Sequence, residues 1–130
     1  GSDKSLMPNE HPAYQHAVRL IGIAIVACEK TVQIVYERTL RPSEKQHQPW
    51  LDRVEQQLAE AYRLLEAEVA IRNPWLISKQ PMHPDITICV AWRFTQYIIP
   101  DVIAQADYPA LAQFSDYAET LPEFASTPLE

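Results

Sequence analysis

The sequence predicts a single all-α domain, and three features lead to that prediction. Prolines are frequent, 11 in 130 residues, and most of them bound long stretches that almost lack glycine and proline. Within several of these stretches apolar residues recur at steps of three and four, the period of a helix with one buried side. No segment alternates apolar and polar residues over the length of a strand. The length and the 47% apolar content suit one domain with a shared core.

The first predicted helix runs from about residue 12 to residue 40. Pro12 suits a first helical turn, and the next proline is Pro42. Residues 20–28 are apolar on every side of this helix. A helix with a single buried stripe would not have that pattern, so we expect it to be covered from several directions within a larger assembly.

The second predicted helix begins between Ser43 and Pro49 and ends at Asn73-Pro74. Its apolar residues form one stripe: Leu51, Val54, Leu58, Tyr62, Leu65 and Val69. Its charged residues are expected to form a solvated surface on which Glu60 and Arg63 can pair across one turn: Asp52, Glu55, Glu60, Arg63, Glu66 and Glu68. Residues 75–84 lack periodicity and are predicted to be a surface loop.

The third predicted helix begins near Pro84 and Asp85, because a proline and a carboxylate both favour the first helical turn, and it ends before Pro100. Apolar residues surround it, which predicts a central helix: Ile86, Ile88, Cys89, Val90, Ala91 and Trp92. The fourth predicted helix spans residues 109–120, with an inner side made of Leu111, Phe114, Tyr117, Ala118 and Leu121. A final turn over residues 122–125 is expected to bring Phe124 back onto the bundle.

Composition excludes several classes of function. The net charge of -6 argues against nucleic acid and anionic membrane surfaces as partners. The longest apolar run, residues 20–28, is too short for a membrane-spanning helix, which needs about 20 residues. The two glycines, Gly1 and Gly22, exclude glycine-rich phosphate loops and nucleophile elbows.

The reactive residue types are not arranged for catalysis or metal binding. Cys28 and Cys89 lie in apolar runs, which predicts buried, reduced and unreactive thiols and a cytoplasmic protein. The four histidines are not spaced to place two imidazoles on one helical face, so no metal site is predicted: His11, His16, His47 and His83. We therefore predict no catalytic residue and no cofactor in this chain.

One helical face could line a pocket. Glu29, Gln33 and Tyr36 follow one another at steps of four and three residues, so they share a face of the first helix just after its apolar run. The alternative is that these side chains meet solvent or cap neighbouring backbone. Spacing alone leaves both interpretations open.

Four segments carry a family likeness: residues 35–42 (VYERTLRP), 49–51 (PWL), 73–76 (NPWL) and 107–111 (DYPAL). With Phe114, Tyr117 and the closing Leu121-Pro122-Glu123-Phe124, they resemble the C-terminal helical domain of bacterial glutathione S-transferases. The likeness spans nearly the whole chain, so residues 3–130 are assigned to this all-α domain. Gly1 and Ser2 are interpreted as the remnant of an expression tag.

The resemblance implies a capping role for Asp85. In this family an aspartate at that position completes a Ser/Thr-x-x-Asp capping box at the start of a buried helix. Met82 stands at the reciprocal position, where half the box is expected to be missing. Ser78 stands where family members commonly have glycine.

The resemblance also implies partners. Such proteins pair this helical domain with an N-terminal thioredoxin-like domain, absent from this sequence, that binds glutathione and supplies the residue that activates its thiol. The helical domain contributes the pocket for a small hydrophobic electrophile and part of a homodimer contact. By position, Gln33 and Phe94 match a polar and an aromatic pocket residue of one bacterial class. The isolated chain is then expected to be inactive, and either to self-associate or to be less soluble than the parent protein.

A different function remains open. Helical domains of this type also act as non-catalytic protein-interaction modules, and the sequence does not decide between the two functions. A thioredoxin-like segment upstream, with a Tyr, Ser or Cys near its first strand, would favour the enzyme.

Overall fold

The computed structural model describes residues 7–8, 11–72, 75–76 and 81–120. Within these residues the chain forms four helices, α1 (His11–Thr39), α2 (Gln48–Ala70), α3 (His83–Ile98) and α4 (Pro109–Glu119), and 3-10 turns at Ser43–Lys45 and Gln105–Asp107. The all-α prediction is confirmed. The predictions for residues 1–2, for Asn73-Pro74, for Ser78, and for Leu121 and the turn with Phe124 lie outside the described residues.

Each of the helices α1 and α4 packs against both α2 and α3. α1 and α2 are antiparallel, because His16 near the start of α1 meets Glu68 near the end of α2 at 2.7 Å. Arg38 near the end of α1 lies 3.6 Å from Glu55 near the start of α2.

The core follows the predicted stripe of α2. All six stripe residues are buried, as predicted: Leu51, Val54, Leu58, Tyr62, Leu65 and Val69. α3 is central, as expected, because none of its residues from Ile86 to Trp92 is exposed. Phe114 and Leu111 of α4 close the core, and both are fully buried.

α1 departs from the prediction. Its buried side includes the small residues Ala17, Ala24 and Ala27. Larger apolar side chains point away from the other helices: Val18, Ile25, Val26 and Val32 are each 41–51% exposed. Leu20 and Ile34 are fully buried on the same side as these alanines. Among the described residues α1 is therefore covered on one side only, the side against which α2 and α3 pack. We call the uncovered side the open face of α1; it comprises Val18, Gly22, Ile25, Val26, Glu29, Val32 and Tyr36.

The turn between α1 and α2 is held by the family-like segment at residues 35–42. The buried carboxylate of Glu37 accepts a hydrogen bond from the His47 backbone N–H at 3.0 Å and pairs with Arg41 at 3.0 Å. The Gln46 amide donates to the carbonyls of Arg38 and Arg41 at the end of α1. The segment therefore fixes the α1–α2 hairpin.

The segment after α2 is not only a surface loop, contrary to the prediction. Trp75 is buried, and its ring packs edge-on against Phe114 with ring centres 5.6 Å apart. The ring centre of Tyr117 lies 5.2 Å from that of Trp75, and Tyr117 is 41% exposed on the outer side of α4. The predicted place of Tyr117 on the inner side of α4 is therefore wrong. Ser115 is buried on α4 as well.

The charged side of α2 is only partly the solvated surface that the sequence predicted. Glu60 and Arg63 do pair, at 2.6 Å. Glu66, in contrast, is half-buried and accepts hydrogen bonds from the backbone N–H groups of Ala110 and Leu111, both at 2.8 Å. Its carboxylate thus caps the first turn of α4, where the helix dipole favours a negative charge. Glu55 and Glu68 pair with α1 through Arg38 and His16.

We expect the substitution Glu66→Gln to lower the free energy of unfolding by about 1–2 kcal/mol, because an amide presents one acceptor oxygen to two helix N–H groups. Urea denaturation of the 130-residue chain would measure the change. Glu60→Gln is the matched control on the solvated side of the same helix, and it should change stability little. Equal losses in the two variants would contradict the capping role of Glu66.

Candidate functional site

The predicted pocket residues lie on two neighbouring helices. Glu29 and Tyr36 are exposed on the open face of α1, Tyr36 by 59%, and Gln33 is half-buried beside them. Phe94 is half-buried on α3. The hydroxyls of Thr31 and Thr95 meet at 2.9 Å, so Phe94 lies at the same level along α3 as the Gln33 region along α1.

A buried hydroxyl network fixes these helices against one another. Tyr62 donates to the carbonyl of Ala91 at 2.8 Å and lies 2.6 Å from the Thr95 hydroxyl. Thr31 lies 2.9 Å from Thr95 and donates to the carbonyl of Ala27 at 2.8 Å. The network joins α1, α2 and α3, and it sets the register of the α1 face that carries the predicted pocket residues.

The same burial makes the Tyr62 phenol a poor acid. Burial is the main cause that raises its pKa far above the ordinary value of 10.0, and the hydrogen bond from Thr95 opposes this only in part. The phenol therefore stays protonated at neutral pH and acts as a hydrogen-bond donor. Sequence reasoning placed Tyr62 in the core but did not find Thr31 or Thr95, because a lone threonine in an apolar helix has no distinctive spacing.

Both thiols are free, Cys89 is buried and Cys28 is half-buried. Burial raises the pKa of Cys89 to about 12. Burial, and then the nearby Glu29 carboxylate, raise the pKa of Cys28. Neither sulfur is a thiolate at neutral pH, in agreement with the predicted lack of reactivity.

Asp85 lies at the start of α3 and is completely buried. Its carboxylate accepts hydrogen bonds from the backbone N–H groups of Met82 at 2.8 Å and Leu76 at 2.9 Å. The Met82 side chain faces the N–H of Asp85, so the half of the capping box that was expected to be missing is occupied by a thioether, a weak acceptor. Asp85 therefore ties the start of α3 to the segment that follows α2.

Two open grooves lie on the described part of the surface. The larger, about 470 Å³, lies between α1 and α2 and is lined by Arg19, Gly22, Ile23, Val26, Gln57, Glu60, Ala61 and Leu64. We call it the α1–α2 groove. The smaller, about 330 Å³, is lined by Asp52, Glu55, Gln56, Ala59 and Val102. Glu29, Gln33, Tyr36 and Phe94 line neither groove.

Within residues 11–72 and 81–120, and at the four other described positions, no three His, Cys, Asp or Glu side chains are grouped so that they could hold a metal ion. Among the helices described, none combines the length and the apolar character that crossing a membrane requires.

Comparison with known proteins identifies the fold. No protein-family model matches the chain, and no curated protein matches it in sequence. A glutathione S-transferase from Methylobacterium radiotolerans, solved in complex with glutathione sulfonate, is 22% identical and superimposes with a TM-score of 0.84 over 96% of this chain and 58% of its own. A glutathione transferase family member from Pseudomonas fluorescens Pf-5, with bound S-(propanoic acid)-glutathione, is 25% identical with a TM-score of 0.82 over 96% of this chain and 63% of its own.

These matches define the class of the fold as that of the glutathione S-transferases. Within that class the chain has the all-α, C-terminal type of domain, and the resemblance predicted from its sequence is confirmed. The chain spans 58–63% of the length of the two matched structures.

Proposed function

We propose that this chain is the helical half of a cytoplasmic glutathione S-transferase-like protein. An N-terminal thioredoxin-like domain of the same protein would bind glutathione and supply the residue that lowers the pKa of its thiol. The glutathione sulfur would then attack an electrophilic carbon of a small hydrophobic substrate and displace the leaving group with its bonding electrons. The observation that supports this proposal is the match over 96% of the chain to transferase structures with glutathione derivatives bound.

The proposed contribution of this chain is the wall of the electrophile pocket. Tyr36 of α1 and Phe94 of α3 offer aromatic surface to an apolar substrate, and Gln33 offers an amide for a polar substituent. Glu29 lies one turn before Gln33 on the same side. We assign no catalytic residue to these helices, since the buried phenol of Tyr62 and the thiols of Cys28 and Cys89 all stay protonated.

The protein is also proposed to be a homodimer. The open face of α1 presents apolar side chains that the other described residues leave exposed, and exposed apolar surface of this kind is typical of an interface. The thioredoxin-like domain and a second subunit would each cover part of it.

The test is an assay of the full-length parent with glutathione and an aromatic electrophile such as a chlorodinitrobenzene. We expect turnover by the parent and none by the 130-residue chain. Tyr36→Ala should raise the KM for the electrophile several-fold and leave the KM for glutathione unchanged, because the substituted side chain is proposed to touch only the electrophile. Tyr14→Ala is the matched control, since Tyr14 is similarly exposed but lies about six helical turns earlier on α1.

A parent that neither binds glutathione nor turns over the electrophile would contradict the enzyme proposal. That outcome would favour the non-catalytic interaction module. A thioredoxin-like sequence upstream that lacks a Tyr, Ser or Cys near its first strand would point the same way.

A further inference from the structure

Glu29 is the only charged residue on the open face of α1. Three of the residues one helical turn away from it on that face are apolar: Ile25, Val26 and Val32. Ile25 is 47% exposed and Val32 is 51% exposed, so hydrocarbon surrounds the carboxylate at the surface. Gln33, one turn after Glu29, is a neutral amide. The carboxylate therefore stands in an uncharged and largely apolar patch of the helix.

The described residues provide no ion-pair partner for Glu29. None of their lysine, arginine or histidine side chains lies within ion-pair distance of its carboxylate. Lys30 is the next residue, but consecutive side chains of an α-helix point about 100° apart, so Lys30 does not face the patch. Covering a carboxylate without a compensating cation is unfavourable. A molecule that covers this part of the open face is therefore expected to carry a positive charge.

The surroundings of Glu29 favour an alkylated cation. Ile25 and Val32 offer apolar contact but no side-chain hydrogen-bond acceptor, whereas a guanidinium or a primary ammonium needs several acceptors. A tertiary or quaternary ammonium carries its charge among alkyl groups, which these two side chains can contact. Tyr36 is 59% exposed on the same face, and aromatic rings attract ammonium groups. The net charge of -6 also attracts a cation from a distance.

We infer that the electrophile of the proposed pocket carries a tertiary or quaternary ammonium group, and that Glu29 is the residue that selects for it. The inference rests on the function proposed above and names the class of its substrate. Glu29 and Tyr36 are seven residues apart, which is about 10 Å along the axis of α1. An aromatic electrophile whose ring contacts Tyr36 would therefore place an ammonium group at the end of a short alkyl chain beside Glu29.

The first test compares two electrophiles of the same size in the full-length parent. Both are amides of 4-chloro-3-nitrobenzoic acid: one amide nitrogen carries a 2-(trimethylammonio)ethyl group, and the other carries its neutral isostere, a 3,3-dimethylbutyl group. In both, the glutathione thiolate forms the C–S bond and chloride leaves with its bonding electrons. We expect kcat/KM to be at least about tenfold higher for the cationic compound, because only its charge distinguishes it at Glu29. Equal values for the two compounds would overturn the inference.

Variants at Glu29 test the assignment of the residue. Glu29→Gln should lower the ratio of the two kcat/KM values at least about fivefold, and Glu29→Lys should reverse the preference. Glu29→Asp should retain most of the preference, because it retains the charge. A purely structural effect would act on both compounds alike and leave the ratio unchanged. Asp116→Asn is the matched control: it removes the same charge from an exposed position on α4, which packs against α2 and α3, and it should not change the ratio.

Equilibrium binding separates this inference from the transferase proposal. The probes are the same two amides with hydrogen in place of chlorine, which cannot react, and titration calorimetry of the parent measures their affinities. We expect the cationic probe to bind at least about tenfold more tightly, and Glu29→Gln to remove most of that difference, even if the parent conjugates no electrophile. Equal affinities would overturn the inference whether or not the parent is an enzyme. So would a Glu29→Gln variant that keeps the preference and instead weakens contact with a thioredoxin-like domain or a second copy.

Discussion

Substitution of Phe114 by alanine is expected to lower the free energy of unfolding by about 3–5 kcal/mol, the usual cost of removing a buried aromatic ring. The Phe114 ring is fully buried in α4 and packs against Trp75 at 5.6 Å. The guanidinium of Arg72 lies 4.9 Å above the same ring. One substitution therefore removes contacts that join α4 to the end of α2 and to the segment that follows it.

Urea denaturation followed by circular dichroism would measure this loss. Tyr97→Ala is the matched control, because Tyr97 is an aromatic residue that is 70% exposed on α3, and its removal should change stability by less than about 0.5 kcal/mol. A loss below about 1 kcal/mol for Phe114→Ala would mean that α4 is not part of the cooperative core.

The number and order of the helices could be predicted from the sequence because the signals are local. Pro12, Pro49, Pro84 and Pro109 each lie in the first turn of a helix, where the missing N–H costs nothing. The stripe of α2 is equally local, since a step of three or four residues is enough to define its buried side.

Contacts between distant residues could not be predicted in the same way. Glu66 has the spacing of a solvated residue on α2, but α4 brings two backbone N–H groups to its carboxylate from 44 and 45 residues away. Thr31 and Thr95 are 64 residues apart and meet only because α1 and α3 pack side by side. Such pairs depend on the tertiary arrangement, which periodicity within one helix does not contain.

The open face of α1 shows why the candidate site was harder to predict than the fold. Hydrophobicity alone could not predict which side of the helix is buried over residues 20–28. In the structure Leu20, Ala24 and Ala27 are buried, whereas Ile25 and Val26 are exposed on the opposite side of the helix. The segments that carry the family likeness contain residues that hold the fold together, such as the ion-paired Glu37 and Arg41. They therefore indicate the architecture and say little about the substrate.

Replacement of Asp85 by alanine is expected to lower the free energy of unfolding by about 2–3 kcal/mol near neutral pH. The carboxylate accepts the N–H groups of Met82 and Leu76. Alanine leaves both N–H groups without this acceptor, and each buried donor that loses its partner costs about 1–3 kcal/mol. Urea denaturation at pH 7 would measure the loss, and a change below about 0.5 kcal/mol would contradict the cap.

Burial also gives Asp85 a characteristic pH dependence. It raises the pKa of this carboxyl above the ordinary value of 3.8, and the hydrogen bonds from Leu76 and Met82 oppose the rise only in part. The folded chain therefore holds the proton of Asp85 more tightly than the unfolded chain does. Ionisation of Asp85 then lowers the free energy of unfolding, and this loss disappears as the pH falls through the folded pKa toward 3.8. Asp85→Asn removes this titration and leaves the other carboxylates in place. We therefore expect the free energy of unfolding of the original chain, relative to Asp85→Asn, to increase from pH 7 to pH 4, and a decrease would mean that the two hydrogen bonds outweigh burial.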